Sequence, residues 1–239
     1  TGKMGDGWQY TYAAKKMRGL KQTHQPSPWI NDYGQFSLMP TVGKPVFDEE
    51  QRASWFSHKA EKVTPYYYSV YLADYDVTAE LCPTERAALM AFTFPKTDSA
   101  HVVVDAFDKG SYIKILPDQR KVVGFSTRNS GGVPANFRNY FVIEFDHDFD
   151  AVLSVKDGEY KEAYEQECNH VGAIISFKIG KRGEKVQARV ASSFISEEQA
   201  WLNIQELGQA DMEQLCLQGR TRWNEVLGKI EVEDEDIDH

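Results

Sequence analysis

The chain has 239 residues, of which 41% are hydrophobic and 26% charged, the composition of a globular protein with a sizeable core. Its 36 acidic and 27 basic residues give a formal net charge of −9, which disfavours nucleic acid or an anionic membrane as a partner. No apolar run approaches the roughly 20 residues that span a bilayer. The first residues do not resemble a signal peptide, so we expect a cytosolic chain or one that has lost a targeting segment.

Residues 21–36, KQTHQPSPWINDYGQF, form an unusual loop with no regular period. Pro26 and Pro28 fix the backbone and push the residues before them towards extended geometry, so the loop loses little entropy when it grips a ligand. Trp29 can stack on a sugar face. Hydrogen-bonding groups suited to hydroxyls are offered by His24, Gln25, Asn31 and Asp32. The loop is therefore either a sugar-binding segment or a stiffened crossover whose tryptophan plugs the core.

From about residue 66 to 195, short β-branched and aromatic runs alternate with turn residues, the pattern of an antiparallel sandwich. The candidate strands are PYYYSVYL, ALMAFTF, HVVVDAF, KVVGFST, RNYFVIEF, VGAIISFKI and KVQARVASSFI. Side chains alternate on a strand, so Phe141, Ile143 and Phe145 are predicted to share the core face. The glycines of GKRGE, residues 180–184, predict a hairpin that joins the last two strands.

Two motifs in this region resemble ligand-binding loops but depart from the patterns that those loops require. DHDFD, residues 146–150, spaces three aspartates as a calcium loop does, but Ala151 replaces the required glycine and Asp157 the final glutamate. GKRGEK lacks the order of a phosphate-binding loop. We interpret NSGGVP, residues 129–134, as a flexible loop. No GxSxG motif supports acyl transfer.

The hydrophobic period becomes helical after Ser196, where SEEQ predicts a capping box with Gln199. Ala200, Trp201, Ile204 and Leu207 then recur at helical spacing, and Gly208 is a plausible stop. A second helix is predicted after Asp211. Its apolar stripe comprises Met212, Leu215, Cys216, Trp223, Val226, Leu227 and Ile230. These stripes are expected to pack on the sandwich or on protein beyond the chain end.

Cysteine spacing predicts neither a disulfide framework nor a zinc site. Cys82, Cys168 and Cys216 are an odd number and lack CxxC spacing. We therefore expect reduced, buried thiols.

Residues 19–40, GLKQTHQPSPWINDYGQFSLMP, resemble the signature of glycoside hydrolase family 92, exo-acting α-mannosidases, in the form associated with α-1,2-linked substrates. The similarity continues in collinear order over nearly the whole chain. It includes WFSHKAEKVTPYYYSVYL, ELCPTERAALMAFTFP, NYFVIEFD, ARVASSFISEEQAWLNI and WNEVLGKIEVE.

The resemblance implies a mainly β fold: an antiparallel β-sandwich of the supersandwich, galactose-mutarotase-like type, followed by two C-terminal linker helices. We expect residues 1–195 to form the sandwich without its first strands. Residues 196–239 are then a helical linker towards an (α/α)6 catalytic barrel that lies outside the sequence. The acidic ending, EVEDEDIDH, suits a linker.

The resemblance also implies an activity: calcium-dependent, inverting hydrolysis of terminal mannose from mannose-rich glycans, including N-glycans. The catalytic carboxylates and most calcium ligands belong to the barrel, so we expect no catalytic residue, no metal ligand and no bound cofactor in this chain. Trp29 matches the tryptophan that packs on the sugar beyond the scissile bond. His24, Gln25 and Asp32 match positions near the interdomain cleft. Family habit implies secretion or a periplasmic location.

Three hypotheses remain after the resemblance is included. The chain is the substrate-contacting domain of such an α-mannosidase, and inactive alone; or a stand-alone carbohydrate-binding module; or a purely structural partner of the barrel. Its partners are then a mannose-containing glycan and its own barrel, with neither nucleic acid nor membrane. We further expect the second helix to expose Met212, Leu215, Trp223 or Leu227, with dimerisation as one way to cover them.

Overall fold

A computed structural model describes residues 12–22 and 33–230. Within these ranges the chain folds into three antiparallel sheets. A two-stranded sheet consists of β1 (Lys16–Met17) and β4 (Ser54–Trp55). A six-stranded sheet contains β2 (Leu20–Lys21), β3 (Ser37–Val42), β9 (Thr97–Asp105), β13 (Ala151–Lys156), β14 (Glu159–Lys161) and β16 (Val171–Ile179). A nine-stranded sheet contains β5 (Lys62–Thr64), β6 (Tyr67–Leu72), β7 (Val77–Pro83), β8 (Ala87–Phe94), β10 (Ser111–Leu116), β11 (Lys121–Ser126), β12 (Asn139–Phe145), β15 (Glu165–Cys168) and β17 (Glu184–Ser193).

The two large sheets are the layers of a β-sandwich. The strand order is β15-β10-β11-β12-β17-β8-β7-β6-β5 in one and β14-β13-β16-β9-β3-β2 in the other. The predicted core face of β12 is confirmed, because Phe141, Ile143 and Phe145 are all buried. The ring of Phe145 lies 5.5 Å from that of Phe177 on β16, so the aromatic core joins the layers. Each such ring stabilises the fold by roughly 1.5–3 kcal/mol when removed from water.

Each of the seven predicted runs contains most of a strand, although some extend past its end, as HVVVDAF does beyond Asp105, and the predicted fold class is confirmed. The predicted hairpin at residues 180–184 is wrong. β16 pairs with β9 and β13, whereas β17 pairs with β8 and β12, so the connection crosses from one layer to the other. Gly183 does adopt a positive φ of 82°. That conformation permits a tight reversal but does not decide which strands pair.

Two α-helices follow the sandwich, α1 (Glu197–Asn203) and α2 (Met212–Leu227). The Ser196 hydroxyl accepts from the Gln199 backbone N–H at 3.1 Å, as predicted, but the Gln199 side chain donates to Asn203 instead of closing the box. A 3₁₀ turn (Ile204–Leu207) extends α1 and ends at Gly208. A complete capping box, formed by Asp211 and Gln214, starts α2. Two other 3₁₀ turns are His58–Ala60 and Pro117–Gln119.

The helices pack on the outer face of the nine-stranded sheet. Their contact is a second apolar cluster comprising Cys82, Ala87, Leu89, Val123, Val142, Ala191, Ala200, Ile204, Leu207 and Leu215. The expected exposure of α2 is correct for Trp223 and Leu227, at 43% and 59%. It is wrong for Leu215, which is buried, and Met212 is partly buried against the same cluster. The sandwich thus covers one side of the first half of α2, at Met212, Leu215 and Cys216, and leaves the apolar residues of the second half in solvent.

None of the helices in the described ranges is long and apolar enough to cross a membrane.

Candidate functional site

The predicted sugar-contacting residues His24, Gln25, Trp29 and Asp32 fall in residues 23–32, outside the described residues. The structure describes the residues on either side, which end at Gln22 and resume at Tyr33. The surroundings of these two attachment points define the candidate site.

The first attachment point is β2, which ends at Lys21. Lys21 is the register partner of Ser37 on β3, and Ser37 is the partner of Asp105, the last residue of β9. Asp105 in turn pairs with Gly172 near the start of β16. The segment therefore leaves the six-stranded sheet level with the end of β9.

The second attachment point is tied to the nine-stranded sheet. The Tyr33 hydroxyl donates to the Gly131 carbonyl at 2.8 Å. The Gly34 N–H donates to the Arg128 carbonyl at 2.8 Å, and the Asn139 side chain donates to the Gly34 carbonyl at 2.7 Å. Gly34 has a φ of 65°, and a Cβ there would lie 2.3 Å from Asn139. Only glycine fits this junction, which fixes how the chain re-enters β3.

Asp105 is the centre of a buried polar network below the first attachment point. Its carboxylate accepts from Arg52 Nη2 at 2.8 Å and from the Phe107 N–H at 2.9 Å, and lies 2.8 Å from His170 Nε2. Burial by itself raises the pKa of Asp105, but the Arg52 guanidinium and the His170 contact more than offset this and hold the pKa at about 2. The group is therefore an ion at neutral pH.

The network holds a tight turn at residues 106–110. Phe107 and Lys109 both have left-handed backbones, with φ of 59° and 73°. Such conformations cost non-glycine residues energy and persist where surrounding contacts impose them. Here the Asp105 carboxylate imposes the first of them through the Phe107 N–H. The Thr127 hydroxyl donates to the Lys109 carbonyl at 2.7 Å and ties the turn to the nine-stranded sheet.

The turn presents the Phe107 ring beneath two cationic side chains. Lys21 Nζ lies 4.5 Å from the ring centroid and 3.5 Å from Gln35 Oε1. The Arg128 guanidinium lies 5.9 Å from the same ring and forms an ion pair with Asp108. Burial lowers the pKa of Lys21, and the carboxylates of Glu49 and Asp105 act in the opposite direction. These side chains, Phe107 with Lys21, Arg128 and Asp108, form what we call the rim of the site. The rim is aromatic and polar, with charges of both signs.

Two clefts flank the turn. The larger, about 800 Å³, reaches from Phe107 and Asp105 to Phe47, Tyr160 and Glu49. The smaller, about 420 Å³, lies beneath residues 129–137. Within the described part of the chain, Glu49 Oε1 is buried without a hydrogen-bond partner. Aromatic walls with a few converging polar groups are typical of ligand sites.

Sequence reasoning missed the Asp105 network of Arg52, Asp105 and His170, which we call the floor of the site. Arg52, Asp105 and His170 are separated by at least 53 positions in the chain, so no local motif joins them. One signal was available: Asp105 ends the apolar run VVVD, and a carboxylate at the end of a buried strand requires a partner.

In residues 12–22 and 33–230 no group of three or more His, Cys, Asp or Glu side chains is arranged to hold a metal ion. The aspartates of residues 146–150 have separate partners: Asp146 accepts from His147, and Asp150 pairs with Lys178 at 2.6 Å. Asp148 is almost fully exposed. These three aspartates therefore do not form a common metal site.

Comparison with known proteins defines the class. Residues 1–193 match the family model described as the glycosyl hydrolase family 92 N-terminal domain. The site therefore belongs to a glycosidase domain. Because the match covers most of the sequence, the chain belongs to glycosyl hydrolase family 92, as its N-terminal domain.

Three relatives illustrate the similarity. A family 92 inverting mannosidase of Bacteroides thetaiotaomicron is 42% identical with a TM-score of 0.90, over 95% of this chain and 31% of that one. A family 92 α-mannosidase of the same organism, solved with mannoimidazole, is 27% identical with a TM-score of 0.85, over 94% and 32%. A protein of Arthroderma benhamiae described as an uncharacterised secreted glycosidase is 25% identical, over 82% of this chain and 30% of its own length. The chain thus spans about a third of the length of these relatives.

Proposed function

We propose that the chain is the substrate-contacting N-terminal domain of a calcium-dependent, inverting exo-α-1,2-mannosidase that removes terminal mannose from mannose-rich glycans. The family membership and the similarity to a solved inverting mannosidase support this proposal. The observation that carries it is the family signature in residues 19–40, whose described ends are fixed at one rim, at Lys21 and at Gly34.

The rim suits a neutral polyol. It combines aromatic rings with donors and acceptors, as a sugar requires. In the proposed complex Trp29 stacks on the sugar beyond the scissile bond, and His24, Gln25 and Asp32 hydrogen-bond to hydroxyl groups. The Asp105 network keeps the floor below them rigid, so less ordering entropy is lost on binding.

Inverting hydrolysis needs a carboxylic acid and a carboxylate base about 6.5–9.5 Å apart, with water between the base and the sugar. In the proposal both lie in a downstream (α/α)6 barrel, together with the calcium ligands. This domain supplies one wall of the cleft and positions the glycan. Secretion or a periplasmic location is part of the proposal and agrees with the description of the Arthroderma relative.

The first test is Trp29→Ala in the complete enzyme, assayed on α-1,2-mannobiose and on an α-1,3-linked substrate with calcium present. We expect activity to fall most on the α-1,2 linkage, because stacking is lost beyond the scissile bond. Trp55→Ala is a matched control, since Trp55 is half-exposed and its ring lies against Lys16, outside residues 19–40. Unchanged activity of the Trp29 variant would favour a purely structural role.

The second test compares the 239-residue chain with the complete enzyme on α-1,2-mannobiose. We expect no turnover by the chain alone, and sustained turnover would overturn the assignment of the catalytic acids to the barrel. Calorimetry with mannose and mannobiose separates the remaining alternative. Half of an interdomain site binds a monosaccharide weakly, whereas saturation at accessible concentrations would identify a stand-alone binding module.

We also propose that residues 196–239 lead into the barrel, which covers the exposed second half of α2. The exposed apolar residues of that half are Trp223, Val226 and Leu227, and Leu217 in the first half and Ile230 just after the helix are exposed as well. Light scattering of the chain alone tests the alternative that a second copy covers this face. A dimer that Trp223→Glu converts to a monomer would show that this apolar face associates with a second copy when the barrel is absent.

A further inference from the structure

Two of the three cysteines meet where the linker helix joins the sandwich. Cys82 lies near the end of β7 and is fully buried, and Cys216 lies in the first half of α2 and is half-buried. The Cys216 thiol donates to Cys82 Sγ at a sulfur–sulfur distance of 3.4 Å. The two residues are 134 positions apart, so only the docking of α2 on the sheet brings them together.

The docking itself is close. Leu215, beside Cys216, is buried in the cluster between the helices and the sheet. One turn later, a Cβ on Gly219 would lie 2.7 Å from the Tyr66 Cβ, so the missing side chain is what permits this approach. Cys82 is held from the same side, because its thiol donates to the Tyr66 carbonyl at 3.1 Å. The pair is thus set in a fixed, tightly packed contact.

We infer that Cys82 and Cys216 are a disulfide-forming pair whose oxidation staples α2 to β7. A disulfide needs sulfur atoms about 2.0 Å apart. The thiols must therefore approach by a little over 1 Å, within reach of side-chain rotation at the half-buried Cys216. The bond would join the sandwich covalently to the helix that leads out of it, whatever substrate the protein acts on.

The oxidant is a soluble disulfide, such as oxidised glutathione. Cys216, as the thiolate, attacks one glutathione sulfur, breaks the glutathione S–S bond and releases one glutathione thiolate. Cys82 then loses its proton and attacks the Cys216 sulfur, forming the protein disulfide and releasing the second glutathione thiolate. The two protein protons end on the two glutathione thiols. Two protein thiols are oxidised and one glutathione disulfide is reduced.

The burial of the pair sets the order of these steps. Burial raises the pKa of Cys82 to about 12 and also raises the pKa of Cys216, so both are thiols at neutral pH. Exchange is therefore slow and begins at Cys216, since Cys82 has no exposed surface. An oxidising compartment, as expected for a secreted or periplasmic protein, favours the disulfide at equilibrium.

The test uses the chain with Cys168→Ser, which leaves the pair as the only cysteines of the sequence. After incubation with oxidised glutathione, we expect both thiols to disappear and the intact mass to fall by two hydrogens. Proteolysis without reductant should give one cross-linked peptide containing both residues, and dithiothreitol should reverse the change. The equilibrium constant for folding should rise by roughly 30- to 700-fold on oxidation, the usual range for a disulfide.

Two variants in the Cys168→Ser background test whether exchange begins at Cys216 and is completed by Cys82. Cys82→Ala should stop at one glutathionyl group on Cys216, and Cys216→Ala should gain none while folded. Thermal unfolding confirms that both variants fold. Two glutathionyl groups on the Cys168→Ser chain, or two free thiols that react only after unfolding, would overturn the inference. The wild-type chain gives an independent result, because a cross-link from Cys168 to either partner would also contradict it.

Discussion

The Asp105 network allows the most direct test of the site's structure. Asp105→Asn keeps the size of the side chain and an acceptor for the Phe107 N–H, but removes the charge that faces Arg52. Both side chains of the pair are nearly inaccessible, at 2% and 1% exposure. Breaking a buried ion pair by removing one partner costs about 3–5 kcal/mol, because the other charge remains buried. We expect the free energy of unfolding to fall by that amount.

Urea unfolding at neutral pH, followed by tryptophan fluorescence, measures this change. Asp150→Asn is the matched control, because Asp150 also pairs with a cation, Lys178, but that side chain is 65% exposed. The loss there should stay below about 1 kcal/mol. If Asp105→Asn costs no more than Asp150→Asn, the carboxylate does not hold the turn and the reasoning is refuted.

The pH dependence of the stability difference between wild type and Asp105→Asn tests whether folding lowers the pKa of Asp105. The pKa of Asp105 is about 2 in the folded chain, below its ordinary value of 3.8, so the unfolded state binds more protons between these values. Its contribution is complete above pH 4 and is lost as the pH falls towards 2, by about 2 kcal/mol in all. The difference between wild type and Asp105→Asn should shrink over that window. A difference that stays constant from pH 5 to pH 2 would contradict the assignment.

Two further predictions concern backbone junctions. Gly34→Ala should lower the free energy of unfolding by about 1–3 kcal/mol, because a Cβ there meets Asn139 and the positive φ is strained; a neutral result in urea unfolding would show that the junction is not fixed. Asp211→Ala should cost about 1 kcal/mol by removing the cap of α2. Hydrogen exchange should show the loss confined to the first turn of α2, and uniform loss across the sandwich would contradict the capping role.

Strand positions followed from the sequence because they depend on local pattern. The runs around Val70, Phe92, Ile143 and Ile175 combine β-branched or aromatic residues with turn residues at both ends, and each lies in a strand. Among the strands of six or more residues, β3, β7, β10 and β13 were not predicted, and none of the strands of two to four residues was. β3 contains Pro40 opposite Val102, and β7 ends at Pro83 opposite Ala88, so proline weakened a pattern that the tertiary pairing restores.

Strand pairing did not follow from the sequence, because it depends on distant residues. The glycines of residues 180–184 indicate a reversal, yet β16 and β17 each have partners on both sides in different layers. The same reason hid the disulfide-forming pair. Cysteine spacing says nothing about residues 134 positions apart, and the contact appears only when α2 packs on β7.

The candidate site likewise has one part that can be predicted from local sequence and one part that depends on distant residues. The motif in residues 23–32 can be read from the sequence, since the proposed sugar contacts are residue types in a short order. Its support cannot be read that way, because Arg52, Asp105 and His170 come from three separate segments. A motif search therefore finds the groups proposed to touch the glycan and misses the floor that positions them.

This floor also determines how the two clefts are related. Asp105 and Phe107 line the larger cleft, while Lys109 lines the smaller, so one turn of five residues forms a wall of both. The turn keeps its left-handed residues because the Asp105 carboxylate binds the Phe107 N–H and Thr127 binds the Lys109 carbonyl. Loss of the carboxylate should therefore disturb both clefts together. Loss of the Thr127 hydroxyl should disturb the smaller one first, because its contact lies on that side of the turn.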